Sequence, residues 1–264
     1  MKQFPYLSLH PKLAVAIEVV FGFVWLTFLP QIDVWWKFGV WIGIRLFWWM
    51  LLIRVIFFSA ALSRIKHWVS LGFFLVGCSA YIVFIDQARV GQGVEAAAVL
   101  LPAISFLLLP STDQELSFAL KPERRWRFFM VVLGLSGIWS GIIGGKAFGV
   151  YLFNIGWLVI AGSIATLAIS AWWWREYGLP VGKRFWQSSV AIFLLTLETA
   201  WAVTVSPLGF FEGALVITWL WYVLWLLFRF HLSAEGVVWR KQWFFLVFNA
   251  LGMIVFLTLV VRWK

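Results

Sequence analysis

Charged residues and cysteines are both scarce in this chain, and each scarcity excludes a class of protein. Only 12% of the 264 residues are charged, whereas 63% are hydrophobic. A soluble globular domain carries about 25% charged residues, so the composition excludes one. The single cysteine, Cys78, excludes an internal disulfide, and its small neighbours Gly77 and Ser79 predict that it packs within a helix.

Potential metal ligands are equally sparse. The chain has three histidines and three aspartates, namely His10, His67, His231, Asp33, Asp86 and Asp113. The histidines are too far apart in sequence to form a ligand pair at helical spacing. The single aspartates also lack the clustering with which membrane prenyltransferases hold magnesium diphosphate. We therefore expect no metal site, no catalytic residues and no cofactor.

Long apolar runs recur from one end of the chain to the other, and each has about the 17 to 25 residues that a bilayer-crossing helix needs. They predict an all-α polytopic transmembrane bundle that forms a single integral membrane domain, residues 1–264, in a plasma or bacterial inner membrane. The nine predicted spans are 13–30, 38–62, 68–85, 94–110, 127–145, 148–172, 185–206, 213–230 and 243–262. Short connections predict that consecutive helices are antiparallel neighbours.

The fourth predicted span is the weakest of the nine, because it is short and Pro102 interrupts it. A proline-broken segment of this kind occurs as a half helix at transport sites. It also occurs as a tilted span or in a locally thinned bilayer. We favour the second interpretation for this segment.

Basic residues are distributed unevenly over the predicted loops, and this predicts the orientation. With the amino terminus cytoplasmic and the carboxyl terminus outside, the inner side receives Lys2, Lys12, Arg64, Lys66, Lys121, Arg124, Arg125, Arg127, Arg175, Lys183, Arg184, Arg229, Arg240 and Lys241. The outer side receives only Lys37, Arg89, Lys146, Arg262 and Lys264. Lysine and arginine concentrate at cytoplasmic loops, so topology rather than nucleic-acid binding explains the net charge of +10. We expect Lys121, Arg124, Arg125 and Arg127 to contact anionic lipid headgroups.

A stripe of glycines marks the fifth predicted span as a packing helix. Gly137, Gly141 and Gly145 recur every four residues and therefore share one helix face. In lipid such a face lets two backbones approach closely and gain dispersion contacts. We expect the sixth helix as the neighbour, through Ala161 and Ala165.

The same span contains the string Gly-Leu-Ser-Gly at 134–137. This string resembles the Gly-x-Ser-Gly around the nucleophile of rhomboid intramembrane proteases, which are also compact and polytopic. The resemblance implies a serine nucleophile at Ser136 and a histidine base on a later helix. The predicted span 185–206 contains no histidine, and His231 lies at a helix end. A nucleophile without a positioned base is not a catalytic site, so helix packing is our interpretation of the string.

Tryptophan is abundant, with 21 residues. Several, including Trp36 and Trp41, mark the predicted outer ends of helices, where indoles favour the headgroup level. Others, such as Trp48 and Trp49, lie within a span, and there an indole N–H needs an acceptor. We expect core or lipid-facing packing for these side chains, with a cavity for an aromatic or lipidic ligand as the alternative.

Four charged residues lie inside the predicted spans: Glu18, Arg45, Arg54 and Glu198. A charge at a span centre costs roughly 2.5–3.5 kcal/mol on insertion scales, so each should face the bundle interior and have a partner. Counting depth from the predicted helix ends matches Glu18 with Arg54 and Glu198 with Arg45.

The seventh span is also the most polar, since Thr196 and Thr199 flank Glu198. Asn154 and Asn249 could join this set from the sixth and ninth spans. We take these residues and the four charges as candidates for a substrate pathway. The alternative is that two ion pairs only fix the register of the helices.

The leading functional hypothesis is a small transporter or permease-like protein for an apolar or amphipathic substrate. The alternative is a non-catalytic scaffold or accessory subunit of a membrane complex, and a lipid-modifying membrane enzyme is weaker because no acid–base or metal cluster exists. Expected partners are membrane lipids and either another membrane protein or a second copy of the chain. A water-accessible cavity at Glu198 would favour transport, whereas a solid core with an exposed small-residue face would favour assembly.

Overall fold

The computed structural model describes residues 11–32, 34–56, 61–85, 88–108, 122–149, 154–233 and 236–261. Within these ranges the chain forms α-helices joined by short turns and no β-strand. The helices are α1 (Pro11–Thr27), α2 (Trp35–Ile56), α3 (Ala61–Phe84), α4 (Ala88–Leu107), α5 (Pro122–Ala147), α6 (Ile155–Glu176), α7 (Lys183–Val205), α8 (Phe210–Leu232) and α9 (Trp239–Val255). A 3-10 turn, Leu29–Gln31, follows α1, and a π-helical turn, Phe256–Val260, continues α9.

Eight of these helices are long and apolar enough to cross a membrane. The apolar part of α4, Gly91–Leu107, is shorter than the others and contains Pro102. The prediction of a multi-pass, all-helical membrane protein is therefore confirmed. The ninth span and the orientation of the termini stay predictions.

Several helix ends differ from the predicted ones, and the end of α2 matters most for the candidate charges. The sequence predicts a span to residue 62, but α2 ends at Ile56 and α3 begins at Ala61. Arg54 is therefore two residues from the end of its helix, and its side chain is exposed. The apolar residues 55–62 hid this boundary, because hydrophobicity alone cannot separate the end of one span from the start of the next.

The chain divides into two compact units, residues 1–137 and 138–264, with the division inside α5. The first unit contains α1 to α4 and the first part of α5. The second contains the rest of α5 and α6 to α9. That both belong to one membrane domain stays a prediction.

In the first unit, α3 and α5 touch through glycine. A Cβ atom on Gly77 would lie 2.6 Å from the Cα atom of Gly134, and one on Gly137 would lie 2.5 Å from the Cα atom of Gly77. Only glycine permits so close an approach of two backbones. Gly137 thus packs a helix as predicted, but its neighbour is α3. The predicted neighbouring face on α6 is wrong for Ala161, which is exposed.

Beside this contact, the hydroxyls of Ser136 and Tyr81 are 2.5 Å apart and both side chains are buried. The serine of the Gly-Leu-Ser-Gly string therefore has a phenol as its hydrogen-bond partner. This geometry agrees with helix packing. Further along α5, Gly141 and Gly145 are also buried.

In the second unit, α6 packs on α5 through Gly162, where a Cβ atom would lie 2.8 Å from side-chain atoms of Trp139 and Ile142. Thr166 and Ser170 continue this face one and two turns later and are fully buried. Their hydroxyls donate to the carbonyls of Gly162 and Thr166, at 2.8 and 2.7 Å. Hydroxyls that bond within their own helix can be buried in hydrocarbon at little cost.

The last helix, α9, is the least buried element. None of the segment Gln242–Leu259 is buried. Asn249 links it to α8, because its side-chain oxygen accepts a hydrogen bond from the indole of Trp219 at 2.9 Å. Asn249 thus serves helix packing.

Candidate functional site

The strongest concentration of polar chemistry in the first unit is an ion pair between α1 and α2. Arg45 Nη2 lies 2.6 Å from Glu18 Oε1, and both side chains are fully buried. Glu18 lies on the buried face of α1, and Arg45 lies on the buried face of α2, one turn from Trp41 and one from Trp49. These faces turn towards each other because α1 and α2 form a hairpin.

The predicted pairs, Glu18 with Arg54 and Glu198 with Arg45, are therefore wrong. The sequence-based count places Glu18 from the inner surface and Arg45 from the outer one, so errors at the predicted helix ends separate two residues that lie level. Measured from the shared turn, Glu18 lies nine residues before the end of α1 and Arg45 lies ten residues after the start of α2. At 1.5 Å per residue the two positions are about level, at roughly 14 and 15 Å from the turn.

Both carboxylate oxygens of Glu18 accept further hydrogen bonds. The indole of Trp49 donates to Oε1 at 2.8 Å, and the indole of Trp48 donates to Oε2 at 2.9 Å. One carboxylate is thus the acceptor that two indoles within the span need. The ion pair and the two indoles form one network, so removing Glu18 would leave several donors without an acceptor.

The guanidinium of Arg45 lies in an aromatic box. Its Cζ atom is 5.0 to 5.5 Å from the ring centres of Phe21, Trp25 and Trp49. Contacts of this type attract a cation to the negative ring faces. Only Nη2 reaches Glu18, whereas Nε and Nη1 are buried without an acceptor among the described residues. Gly22 makes room for the group, because a Cβ atom there would lie 2.9 Å from Nη2.

A pair of tryptophans closes the box on the side of the hairpin turn. Trp25 and Trp41 stack with ring centres 3.6 Å apart. Each indole also donates to the other residue's carbonyl, at 2.8 and 2.9 Å. Two hydrogen bonds and one stack fix these rings, so the pair forms a rigid wall beside the guanidinium.

On the other side of this wall lies a groove between α1 and α2, near the hairpin turn. Its volume is about 370 Å³, and it is lined by Phe21, Val24, Trp25, Phe28, Gln31, Ile32, Trp36, Lys37, Val40, Trp41 and Ile44. Val24, Val40 and Ile44 remain 50–51% exposed, so the groove is open along its side. Its polar side chains, Gln31 and Lys37, are at the end nearest the turn.

A second apolar groove of about 400 Å³ continues along α1, past Ala16, Ile17, Val20 and Trp48. It shares Phe21 and Val24 with the first groove. The two together form an apolar surface channel along the outer side of α1. We call this channel the α1 groove.

The remaining candidates of the sequence-based set do not join this site. Glu198 is exposed, and it makes no hydrogen bond or ion pair with any described residue. Thr196 and Thr199 donate to the carbonyls of Ile192 and Leu195 in their own helix, at 2.6 and 2.7 Å. Both hydroxyls therefore hydrogen-bond within α7, and a pathway around Glu198 stays a prediction.

Asn154 has a structural role. Its side-chain oxygen accepts a hydrogen bond from the backbone N–H of Gly156 at 2.8 Å and so caps the start of α6. Capping satisfies one of the open N–H groups at a helix start. This residue lies at a helix end and is exposed, and its part in a substrate pathway stays a prediction.

The basic residues at the start of α5 differ in their exposure. Arg125 is exposed and Arg124 is half-buried, and Lys121 lies outside the described residues, so headgroup contact at these three residues stays a prediction. Arg127 is buried, with Nε 3.6 Å from Glu123 Oε1, and His67 Nε2 lies 2.9 Å from the same oxygen. The predicted headgroup contact is therefore wrong for Arg127, which belongs to an internal network of α3 and α5.

Two features of the site, the pairing of Trp25 with Trp41 and the role of Gly22, are not among the sequence-based predictions. A usable signal existed in the spacing. Glu18, Gly22 and Trp25 follow one another at four and three residues, which places them on one face of α1. In the part of the chain that the structure describes, no group of three or more histidine, cysteine, aspartate or glutamate side chains could hold a metal ion.

Comparison with known proteins does not assign a family. No protein-family model, curated protein or solved structure matches the chain. Function must therefore be argued from the site itself.

Proposed function

We propose that the chain is a small permease-like membrane protein that takes an amphipathic molecule from the bilayer into the α1 groove. The observation that carries this proposal is the groove itself, which is apolar along its length, open at the side and polar at one end. A ligand site of this kind encloses the apolar part of a molecule and fixes its polar part with a few groups.

The lining predicts the chemistry of the ligand. The apolar walls suit an acyl or isoprenoid chain, since burying each CH₂ group in apolar surroundings contributes about 0.8 kcal/mol. At the polar end, Lys37 supplies a cation and Gln31 supplies amide donors and an acceptor. A single-chain amphiphile with an anionic head satisfies both ends.

The buried ion pair supplies a means of moving such a head. Arg45 lies behind the wall of Trp25 and Trp41, and its Nε and Nη1 have no acceptor among the described residues. Opening the tryptophan pair would bring these two donors to the groove and offer an anionic head a second binding position deeper in the span. The cost is two indole hydrogen bonds, about 1–3 kcal/mol for each indole left unsatisfied.

A filled-groove variant tests the proposal. Val40→Phe narrows the groove, whereas Val55→Phe adds the same volume at a similarly exposed valine of α2 that does not line it. With purified protein in micelles, Val40→Phe should weaken the binding of radiolabelled palmitate about tenfold, because overpacking costs about 1–3 kcal/mol. Val55→Phe should leave binding unchanged. Equal affinity of both variants and the parent would refute the groove as the site.

Movement is tested separately from binding. In vesicles that contain the purified protein, the rate at which palmitate crosses the bilayer should exceed that of protein-free vesicles, and Val40→Phe should remove the excess. Binding without any protein-dependent movement would reject the permease. It would favour a lipid-binding accessory subunit instead, for which the unburied segment Gln242–Leu259 of α9 offers an assembly surface.

A further inference from the structure

Helix α7 has one buried face and one exposed face. Ser188, Ile192, Thr196 and Ala200 follow one another every four residues and are buried. The exposed face is apolar and bulky: it carries Val190, Leu194, Leu195, Trp201 and Val205. Glu198 is the one acidic residue of α7, and it belongs to the exposed face.

Glu198 is too deep to reach water by its own length. It lies 15 residues after Lys183 and seven residues before Val205, so the nearer helix end is about 10 Å away. The adjacent hydroxyl of Thr199 donates to the carbonyl of Leu195. No described residue pairs with the carboxylate, and a carboxylate that faces lipid inside a span is strongly disfavoured.

We propose that the exposed face of α7 docks a membrane-spanning helix of another protein, and that this helix carries an arginine or lysine level with Glu198. The apolar side chains would pack against the partner, and the ion pair would set its depth and register. Intramembrane charges normally pair in this way. The proposal is independent of the α1 groove.

Charge complementarity argues against a second copy as the occupant. A symmetric pair of α7 helices would bring two Glu198 carboxylates together, and like charges repel. Neither Arg45 nor Arg54 supplies the partner of Glu198. Arg45 is buried with Glu18, and Arg54 lies at the end of α2.

A synthetic spanning helix serves as the probe. A fluorescent polyleucine helix with one central arginine is titrated against the full chain, fused to an acceptor fluorophore, in lipid nanodiscs. An all-leucine helix is the control. We expect the arginine helix to bind about tenfold more tightly, a difference equivalent to roughly 1.4 kcal/mol.

Two variants assign the effect to α7. Glu198→Gln should abolish the preference for arginine, whereas Glu176→Gln, which removes an equal charge at the end of α6, should retain it. Glu198 is exposed, and Glu176 is half-buried at a helix end, where the amide oxygen of Glu176→Gln can still accept from the indole of Trp172. The proposal is overturned if both helices bind equally. It is also overturned if the preference survives Glu198→Gln, or if the chain instead self-associates through Glu198.

Discussion

Removing one charge of the Glu18–Arg45 pair should destabilise the protein far more than removing both. In Glu18→Gln, Arg45 keeps its charge in a fully buried site, where a neutral amide and the aromatic ring faces are its partners and no negative charge compensates it. Breaking a buried ion pair from one side costs about 3–5 kcal/mol, because the remaining charge is uncompensated. We expect that loss in the free energy of unfolding of Glu18→Gln.

The double variant Glu18→Gln/Arg45→Met separates charge from hydrogen bonding. Met fills much of the volume of Arg45 without charge, and it also removes the two guanidinium nitrogens that lack acceptors. The amide oxygen that Glu18→Gln introduces can still accept from the indole of Trp49. Since replacing a buried ion pair by neutral groups of similar volume is nearly neutral, the double variant should lie within about 2 kcal/mol of the parent.

A third variant measures how much the hydrogen bonds of the Trp48 and Trp49 indoles contribute to the free energy of unfolding. Glu18→Leu/Arg45→Met removes the charges and also the acceptor, so the N–H groups of Trp48 and Trp49 are left unsatisfied. Each buried donor without a partner costs about 1–3 kcal/mol. The amide of Glu18→Gln/Arg45→Met keeps an acceptor for the indole of Trp49 only, so this variant loses one further indole hydrogen bond and should be about 1–3 kcal/mol less stable than Glu18→Gln/Arg45→Met.

Unfolding of the purified protein in mixed micelles, titrated with SDS and followed by helix content, gives these free energies. Arg54→Met is the matched control, because Arg54 is exposed at the end of the same helix and should change stability by about 0.5 kcal/mol or less. If Glu18→Gln/Arg45→Met is as unstable as the sum of its single variants, the two charges are not coupled and the reasoning fails.

Three further predictions concern packing and topology. Gly137→Leu should lower the free energy of unfolding by about 3 kcal/mol in the same assay. Gly43→Leu is the control and should not lower it, because nothing lies within 4 Å of a Cβ atom added at Gly43. Equal stabilities of the two variants would contradict the close contact of α3 and α5. Trp41→Phe loses the indole hydrogen bond to the Trp25 carbonyl, so the free energy of unfolding should fall by about 1–3 kcal/mol. The same variant should weaken palmitate binding, and unchanged binding would show that the tryptophan pair does not contribute to the groove. A reporter fused after Lys264 should be outside the cell and one inserted near Lys121 inside, and finding both on one side would reject the nine-span topology.

Much of the fold follows from hydrophobicity and small residues. Each predicted span overlaps mainly with one of the described helices because the apolar runs are long, although the span predicted at 38–62 also reaches the start of α3. Gly137 packs against a backbone, as its spacing predicts. Its neighbour, Gly77, could not be predicted, since a small-residue face shows that a helix packs closely but not which helix it meets.

The site was harder to predict because pairing depends on geometry across a turn. The sequence identifies Glu18 and Arg45 as buried charges in need of partners, and the structure buries both. Choosing the partner requires helix ends correct to about one turn, and apolar residues at the end of α2 hide that boundary. Counting from a shared hairpin turn would have matched the two residues, since errors at the far helix ends then do not enter.

Glu18 and Glu198 differ in the size of the residues that flank them on the same helix face. One turn on either side of Glu18 lie Ala14 and Gly22, small residues that let another helix approach. At the same spacing Glu198 has Leu194 on one side, which is large and exposed, and Ala202 on the other. Small residues on both sides of Glu18 therefore let another helix approach its carboxylate, whereas Glu198 has such a residue on one side only.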